Sequence, residues 1–409
     1  MPKQRVKDLA FCRGRPNFVD ELHVGPPYVG DRAKFLERVT QILDDRWLTN
    51  YGRFVQEFEQ RIASVTGAKH CVAMCNATVA LEMTIRALDL SGEVIVPSFT
   101  FIATAHTLQW QGIKPVFADI DPATHNVDPA DVEQKITPRT SAIVGVHLWG
   151  RACNVEALAQ IAVRHQLRLL FDAAHAFGCS YNRRTIGPFG DAEIFSFHAT
   201  KVVNSFEGGA VATNNDLLAK KLRLMHNFGF AGYDNVSMLG LNGKMTEVCA
   251  AMGITSIEAM PSIVALNRRN WKAYRDGLMG LRGISIVEYN PLETNNYHYV
   301  VIEIDGNEAS LNRDELLAVL TQENVLARKY FWPGCHRMAP YKSLYPDAQR
   351  FLPQTERVAA QVMTLPTGQT ITSEIIREIC NIITIAFEHA AEVRQCLAPR
   401  RFGEVGIAR

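Results

Sequence analysis

The chain has 409 residues, 47% hydrophobic and 21% charged, with 43 Lys plus Arg against 42 Asp plus Glu and a formal net charge of +1. That length and composition suit a globular protein with a sizeable core and exclude a disordered chain or one small binding module. Near neutrality excludes a general basic field for nucleic acid or an anionic membrane, so any anionic ligand must be held locally.

The basic N-terminal stretch MPKQRVKDLAFCRGR has no apolar signal-like run, and nowhere do about 18 apolar residues follow one another. A cytoplasmic protein without a membrane partner is expected. Nine cysteines, none in a CxxC pair and most inside apolar runs, are expected to be reduced, buried and free of metal. DRAKFLERVTQILDDR (31–46) and RFVQEFEQRIASVTG (53–67) repeat apolar residues three and four apart, which predicts two helices, the second stopped at Gly67.

The period then shortens. Apolar runs at 70–74, 92–97, 114–120, 141–147, 167–172, 192–197 and 209–213 read as strands. Helical stretches at 78–88, 100–110, 128–136 and 155–166 separate the early ones. This alternation predicts an α/β domain whose mostly parallel seven-stranded sheet lies between helices. The last two strands lack a helix between them, which predicts antiparallel pairing at the far end of the sheet. Residues 215–281 read as helical, with 245–269 bridging out of this domain. Strand-like 283–290, 297–305 and 325–331, with helical 312–324 and 372–394, predict a smaller α+β domain. The expected division is 1–280 and 281–409.

Ligands of open α/β sheets bind beyond the carboxyl ends of the strands. Four such ends carry chemistry: Asp172 and His175 in FDAAHAFG; Ser196, His198 and Lys201 in SFHATK; Asn76, Ala77 and Thr78 in CNAT; and Phe99, Thr100 and Phe101 in PSFTF. Singly, each has an ordinary role: Asp172 and Thr78 as helix caps, Lys201 as a solvated lysine, Phe101 as core. Together, a carboxylate, a lysine, a helix start with unpaired N–H groups and an aromatic plate are the parts that hold pyridoxal phosphate.

These motifs, with GLNGKMTEVCAAMG and RKYFWPGCHRMAPY, make nearly the whole chain resemble the pyridoxal-phosphate sugar aminotransferases of the DegT/StrS type, a branch of fold type I. The resemblance implies that Lys201 anchors the cofactor covalently and then shuttles a proton, that Asp172 pairs with the pyridine nitrogen, and that His175 contacts the phenolic side of the ring. It also implies that Phe101 stacks on the ring and that Asn76, Ala77, Thr78 and Ser196 surround the phosphate. Asn242 would reach that phosphate from the neighbouring subunit, so a homodimer is expected. A related branch that removes a hydroxyl carries histidine in place of the lysine, and Lys201 therefore implies transamination.

Lys244 and His198 depart from the commoner family residues and are expected at the substrate. Arg328, Lys329, Tyr330 and His336 form, with Phe331, Trp332 and Arg337, a cluster suited to a pyrophosphate and a flat base. The run from MHNFGF to LNGKM resembles members that aminate carbon 4 of a thymidine-diphosphate-linked 4-keto-6-deoxyglucose, with L-glutamate giving 2-oxoglutarate, in deoxyaminosugar and natural-product biosynthesis. Amination at carbon 3 of an isomeric 3-keto sugar is the alternative. A non-catalytic cofactor-binding regulator is a third reading, which the 30 residues ahead of the first helix disfavour because they cannot hold a winged helix.

Overall fold

A computed structural model describes residues 3–397. The 398–409 part of the expected second domain lies outside the described residues. Seven strands form one sheet: β1 His70–Met74, β2 Glu93–Pro97, β3 Lys114–Ala118, β4 Thr140–Val146, β5 Arg168–Asp172, β6 Ala192–Ser196 and β7 Gly209–Thr213. Their spatial order is β1-β7-β6-β5-β4-β2-β3. All neighbours are parallel except β7, which runs antiparallel to both β1 and β6. The expected antiparallel pairing is present, but β7 is slotted inside the edge, with β1 outside it.

Alternation along the strands splits the side chains between two cores. Leu169 and Phe171 of β5 face a cluster with Ile42 of α1 (Arg32–Asp45) and with Phe58 and Ile62 of α2 (Arg53–Thr66). Leu170 faces the opposite cluster with Leu81 and Ile85 of α3 (Ala77–Ala87) and Leu108 of α4 (Ala103–Gln109). Each fully buried side chain of this size contributes about 1.5–3 kcal/mol. The register puts Val146 beside Asp172, Asp172 beside Ile194, and Ser196 and Met74 on either side of Gly209, so the chemistry-bearing ends gather along one edge.

The stretch expected to be helical over 215–281 is broken. Helix α5 (Asp216–Met225) is followed by a short hairpin, Phe230–Gly232 with Asn235–Val236, before the long α6 (Glu247–Leu278) begins at its Thr246 cap. Gly229 explains part of the break, since its φ of +80° disfavours a side chain and an added Cβ would stand 1.8 Å from the Met238 carbonyl oxygen. Helix α6 is long and apolar enough to cross a membrane on length and composition. Its Ala250, Ala251 and Ile254 instead pack into the core with Phe58.

A second unit is built on β8 Ile284–Ile286, β9 Val300–Ile304 and β10 Val362–Leu365, all antiparallel, with α7 Arg313–Gln322 and α8 Ser373–Glu388. Of the strand expected over 325–331, Val325–Leu326 pairs in parallel with Leu22–His23 and Arg328 makes a single antiparallel bridge to Thr364 of β10. The N-terminal residues, expected with the large domain, pack here: Val6, Leu9, Phe11 and Phe18 belong to the core of β9 and α8. Glu323 secures them, its buried carboxylate meeting Lys3 Nζ at 2.8 Å and accepting from the Ala10 and Asn17 amides. Cys12 and Cys396 form a disulfide, against the expectation of nine free thiols; the other seven cysteines are free.

Candidate active site

The strand ends surround a cavity of about 600 Å³. Asp172 closes β5 with its carboxylate partly open to this cavity and otherwise enclosed. Its Oδ1 accepts the Ala174 amide at 3.1 Å and its Oδ2 accepts the Thr104 hydroxyl at 2.8 Å. Burial raises the carboxyl pKa, while these two donors and Lys201 oppose that rise. Lys201 follows β6 in a turn closed by its amide on the His198 carbonyl at 2.9 Å. Enclosure lowers its ammonium to about 8, against the pull of Asp172.

His175 lies three residues beyond Asp172. Burial holds it well below its ordinary pKa, helped by Lys201 and His298, so it is neutral. Its Nδ1 accepts the Trp149 amide at 3.3 Å, which leaves the ring proton on Nε2 as a donor. The ring lies nearly parallel to Trp149 and Phe331, with centroids 6.0 and 5.9 Å away, and those two rings stack on each other at 5.4 Å, so the three form a triangle rather than a sandwich.

Asn76, rather than Thr78, caps α3, its side chain accepting the Val79 amide at 2.8 Å. The amides of Ala77 and Thr78 make no hydrogen bond among the described residues, so the positive end of the helix opens on the cavity. Gly209 makes this corner possible: a Cβ there would stand 2.4 Å from the Ala77 nitrogen. Ser196 ends β6 beside it. Phe101 is 59% exposed at the cavity edge, so it is a plate rather than core; Phe99, two residues earlier, fills the core role.

His198 and Tyr330 also line the cavity, with His198 Nδ1 2.9 Å from the Thr200 hydroxyl and its Nε2 3.6 Å from Glu207. The structure does not bring the remaining expected residues there. Asn242 is exposed on the chain's own surface, beside the Gly243 carbonyl that accepts the Cys75 amide. Lys244 binds Asn227 Oδ1 at 2.8 Å and sits over Phe228. Arg328 lies over Tyr330, and Lys329 lies over Trp332 and 3.3 Å from Asp314. His336 is buried with both ring nitrogens engaged, by the Ser98 hydroxyl at 2.7 Å and by Glu356 at 2.5 Å. Tyr299, from the second unit, lines the cavity although no motif marks it, Phe331 of the aromatic cluster lines it too, and Thr104, equally unmarked in the sequence, stands behind Asp172 rather than on the cavity wall.

The donor set fits pyridoxal phosphate: a buried carboxylate with two donors for a ring nitrogen, an amine of lowered pKa, and free helix-start amides for a phosphate. A seven-stranded sheet with one reversed strand and this lysine–carboxylate pair at its carboxyl edge defines a fold type I aminotransferase. The model of the DegT/DnrJ/EryC1/StrS aminotransferase family matches residues 30–384. A dTDP-4-amino-4,6-dideoxy-D-glucose transaminase of Shigella dysenteriae is 35% identical, covering 90% of this chain and 98% of the relative. GDP-perosamine synthase of Vibrio cholerae is 31% identical, covering 88% and 96%. Among solved structures, DesI in the presence of its TDP-sugar product is 47% identical with a TM-score of 0.91, covering 96% of this chain and 100% of that one. The chain belongs to the DegT/DnrJ/EryC1/StrS aminotransferase family and is a pyridoxal-phosphate-dependent enzyme of the aminotransferase class.

Proposed function

We propose that the protein aminates carbon 4 of TDP-4-keto-6-deoxy-D-glucose, taking the amino group from L-glutamate and releasing 2-oxoglutarate, in deoxyaminosugar biosynthesis. The observation that carries this reading is the joint presence of Lys201 and Asp172 in one cavity of a chain 47% identical to DesI. The Shigella dysenteriae relative named dTDP-4-amino-4,6-dideoxy-D-glucose transaminase supports carbon 4 over carbon 3. When bound, pyridoxal phosphate supplies an aldehyde carbon that takes up the amino group and a pyridinium ring that accepts the electron pair left by the departing α-proton.

Lys201 Nζ holds and moves that proton: an amine with a pKa of about 8 is deprotonated in about a quarter of molecules at pH 7.5, so both forms are within reach. Asp172 keeps the ring nitrogen protonated. His175 donates from Nε2 to the phenolic side, Ser196 and the Asn76–Ala77–Thr78 corner hold the phosphate, and Phe101 covers a ring face and excludes water.

Asn242 of the partner subunit completes the phosphate site in a homodimer, which accords with its exposure and its place outside its own chain's cavity. His198 and Tyr330 contact the sugar, and Lys244, Arg328 and Lys329 the diphosphate; His336, whose nitrogens are engaged, is left out. We take residues 24–280 as the cofactor domain and assign the N-terminal stretch to the 281–409 unit on its packing. A cytoplasmic setting goes with this reading, and Cys12–Cys396 would be its one exception to reduced thiols. The test is product mass and proton couplings after incubation with glutamate and TDP-linked 4-keto and 3-keto sugars. An amine only at carbon 3 sinks the substrate assignment, and failure to form 2-oxoglutarate with any of them sinks the reaction.

A further inference from the structure

Buried threonines within this chain's helices turn their hydroxyls to the backbone behind them, whereas Thr355, in the first turn of Pro353–Gln361, donates to the Asp119 carboxylate at 2.8 Å. Thr66, Thr84 and Thr255 donate to the backbone carbonyl four residues back, at 2.8, 2.7 and 2.8 Å. Thr104, in the first turn of α4 and 1% exposed, does not. Its hydroxyl donates instead to Asp172 Oδ2, 68 residues away in sequence, at 2.8 Å. A hydroxyl has one proton, so Thr104 must accept in its 3.3 Å contact with the Thr100 hydroxyl. Direction is therefore set along the chain Thr100 to Thr104 to Asp172.

With the Ala174 amide on the other oxygen, both carboxylate oxygens are held from the protein side. The group cannot rotate without breaking one of these bonds. Resting on the reading of Asp172 given above, we propose that Thr104 is a positioning residue, whose oriented hydroxyl fixes the Asp172 carboxylate in the place and ionic form that the cofactor's ring nitrogen requires. A donor to the charged form favours ionisation, and it works here against enclosure. Removing that donor lets the carboxylate take up a proton at higher pH and turn away from the ring.

Three variants separate this from packing. Thr104→Val keeps the branched shape and loses the hydroxyl, Thr104→Ser keeps the hydroxyl and loses the methyl, and Asp172→Asn serves as reference. Turnover with glutamate is measured against pH, and cofactor uptake by the apoprotein is followed by quenching of tryptophan fluorescence, since Trp149 stacks on His175 at the cavity wall. For Thr104→Val we expect about a tenfold loss of turnover, about 1.4 kcal/mol, an acid limb of the pH profile displaced upward, and weaker cofactor retention. Thr104→Ser should stay within about twofold of the parent in all three.

A Thr104→Val protein with an unmoved acid limb and parental cofactor affinity overturns the proposal, as does a Thr104→Ser protein as impaired as the valine variant. If Thr104→Val does not fold, Thr100→Val carries the test: it leaves the Thr104 hydroxyl free to turn, and its acid limb must move up, an unmoved limb being a refutation. Parental turnover by Asp172→Asn would instead remove the reading of Asp172 itself.

Discussion

Substitution of Glu193 by glutamine isolates one buried carboxyl group on the face of the sheet opposite the cavity. Glu193 belongs to β6 with its side chain wholly enclosed; Oε1 accepts the Phe189 amide at 3.0 Å, while Oε2 has no hydrogen-bond partner among the described residues. His147 Nε2, equally unpartnered, lies 3.9 Å away, beyond hydrogen-bond reach, because its Nδ1 is taken by the Cys153 amide at 3.0 Å and its ring is stacked on Phe171. Burial pushes Glu193 up to about 8 and His147 down to about 3, so both are neutral in the folded protein near pH 7. In the unfolded chain Glu193 returns to about 4.5.

Between those values the folded state holds a proton that the unfolded state has lost, so Glu193 lowers stability as pH rises from 4.5 to about 8. At about 1.4 kcal/mol per pH unit, the loss reaches about 3 kcal/mol at pH 6.5 and about 5 kcal/mol at pH 8.5. Glu193→Gln is nearly isosteric and does not titrate. Urea unfolding of both proteins at pH 5, 6.5 and 8.5 should therefore give free energies that agree within about 1 kcal/mol at pH 5 and diverge in the variant's favour above it. Every other titrating group is common to the pair and cancels in the difference. Curves that stay parallel from pH 5 to 8.5 would show that Glu193 is ionised in the folded protein and would refute the reasoning.

Gly209→Ala should weaken cofactor binding at least about tenfold, measured by equilibrium dialysis, because its Cβ, 2.4 Å from the Ala77 nitrogen, pushes β7 off the phosphate corner. Asp172→Asn should cut turnover about a hundredfold or more while moving the melting point no further than the loss of one cap, about 1 kcal/mol, does. A large melting shift with turnover intact would make Asp172 structural. Inactive Lys201→Ala and inactive Asn242→Asp chains, mixed under verified subunit exchange, should regain about a quarter of parental activity, since half the dimers are mixed and each has one intact site. A mixture as inactive as both parents excludes the shared site.

Local pattern carried most of the sheet. All seven strands stand within a residue or two of their apolar runs, since a strand covered on both faces is apolar throughout. What the pattern lacks is pairing choice: nothing in GAVAT says that it will lie between HCVAM and AEIFSF rather than outside them. The same limit hid the N-terminal stretch, whose Val6, Leu9 and Phe11 are too few to show a period and acquire meaning only against α8. The 226–246 segment reads as helix because apolar residues recur in it, although Gly229, Gly232, Gly240 and Gly243 punctuate it.

In the site, residues next to strand ends were visible because strands aim them, whereas Thr104 depends on which strand α4 packs beside. His336 reads as a ligand contact because a histidine beside aromatics looks alike in sequence whether it faces a ligand or, as in this fold, Ser98 and Glu356. Cys12 and Cys396 are separated by 384 positions, and no spacing rule spans that distance.

The place of β7 has a consequence for synthesis. Strand β1, made early, has no partner in the sheet but β7, made well over a hundred residues later. Until then, the Asn76–Thr78 corner hangs from an unpaired strand, and closing so long a loop is entropically slow. The half-sheet from β2 to β6 can already assemble, with Asp172 and Ser196 in register but nothing opposite to receive a phosphate. On the proposed reading of that corner, a ribosome-bound fragment that stops short of Thr213, although it contains Lys201, offers no strand to brace the Asn76–Thr78 turn against a phosphate.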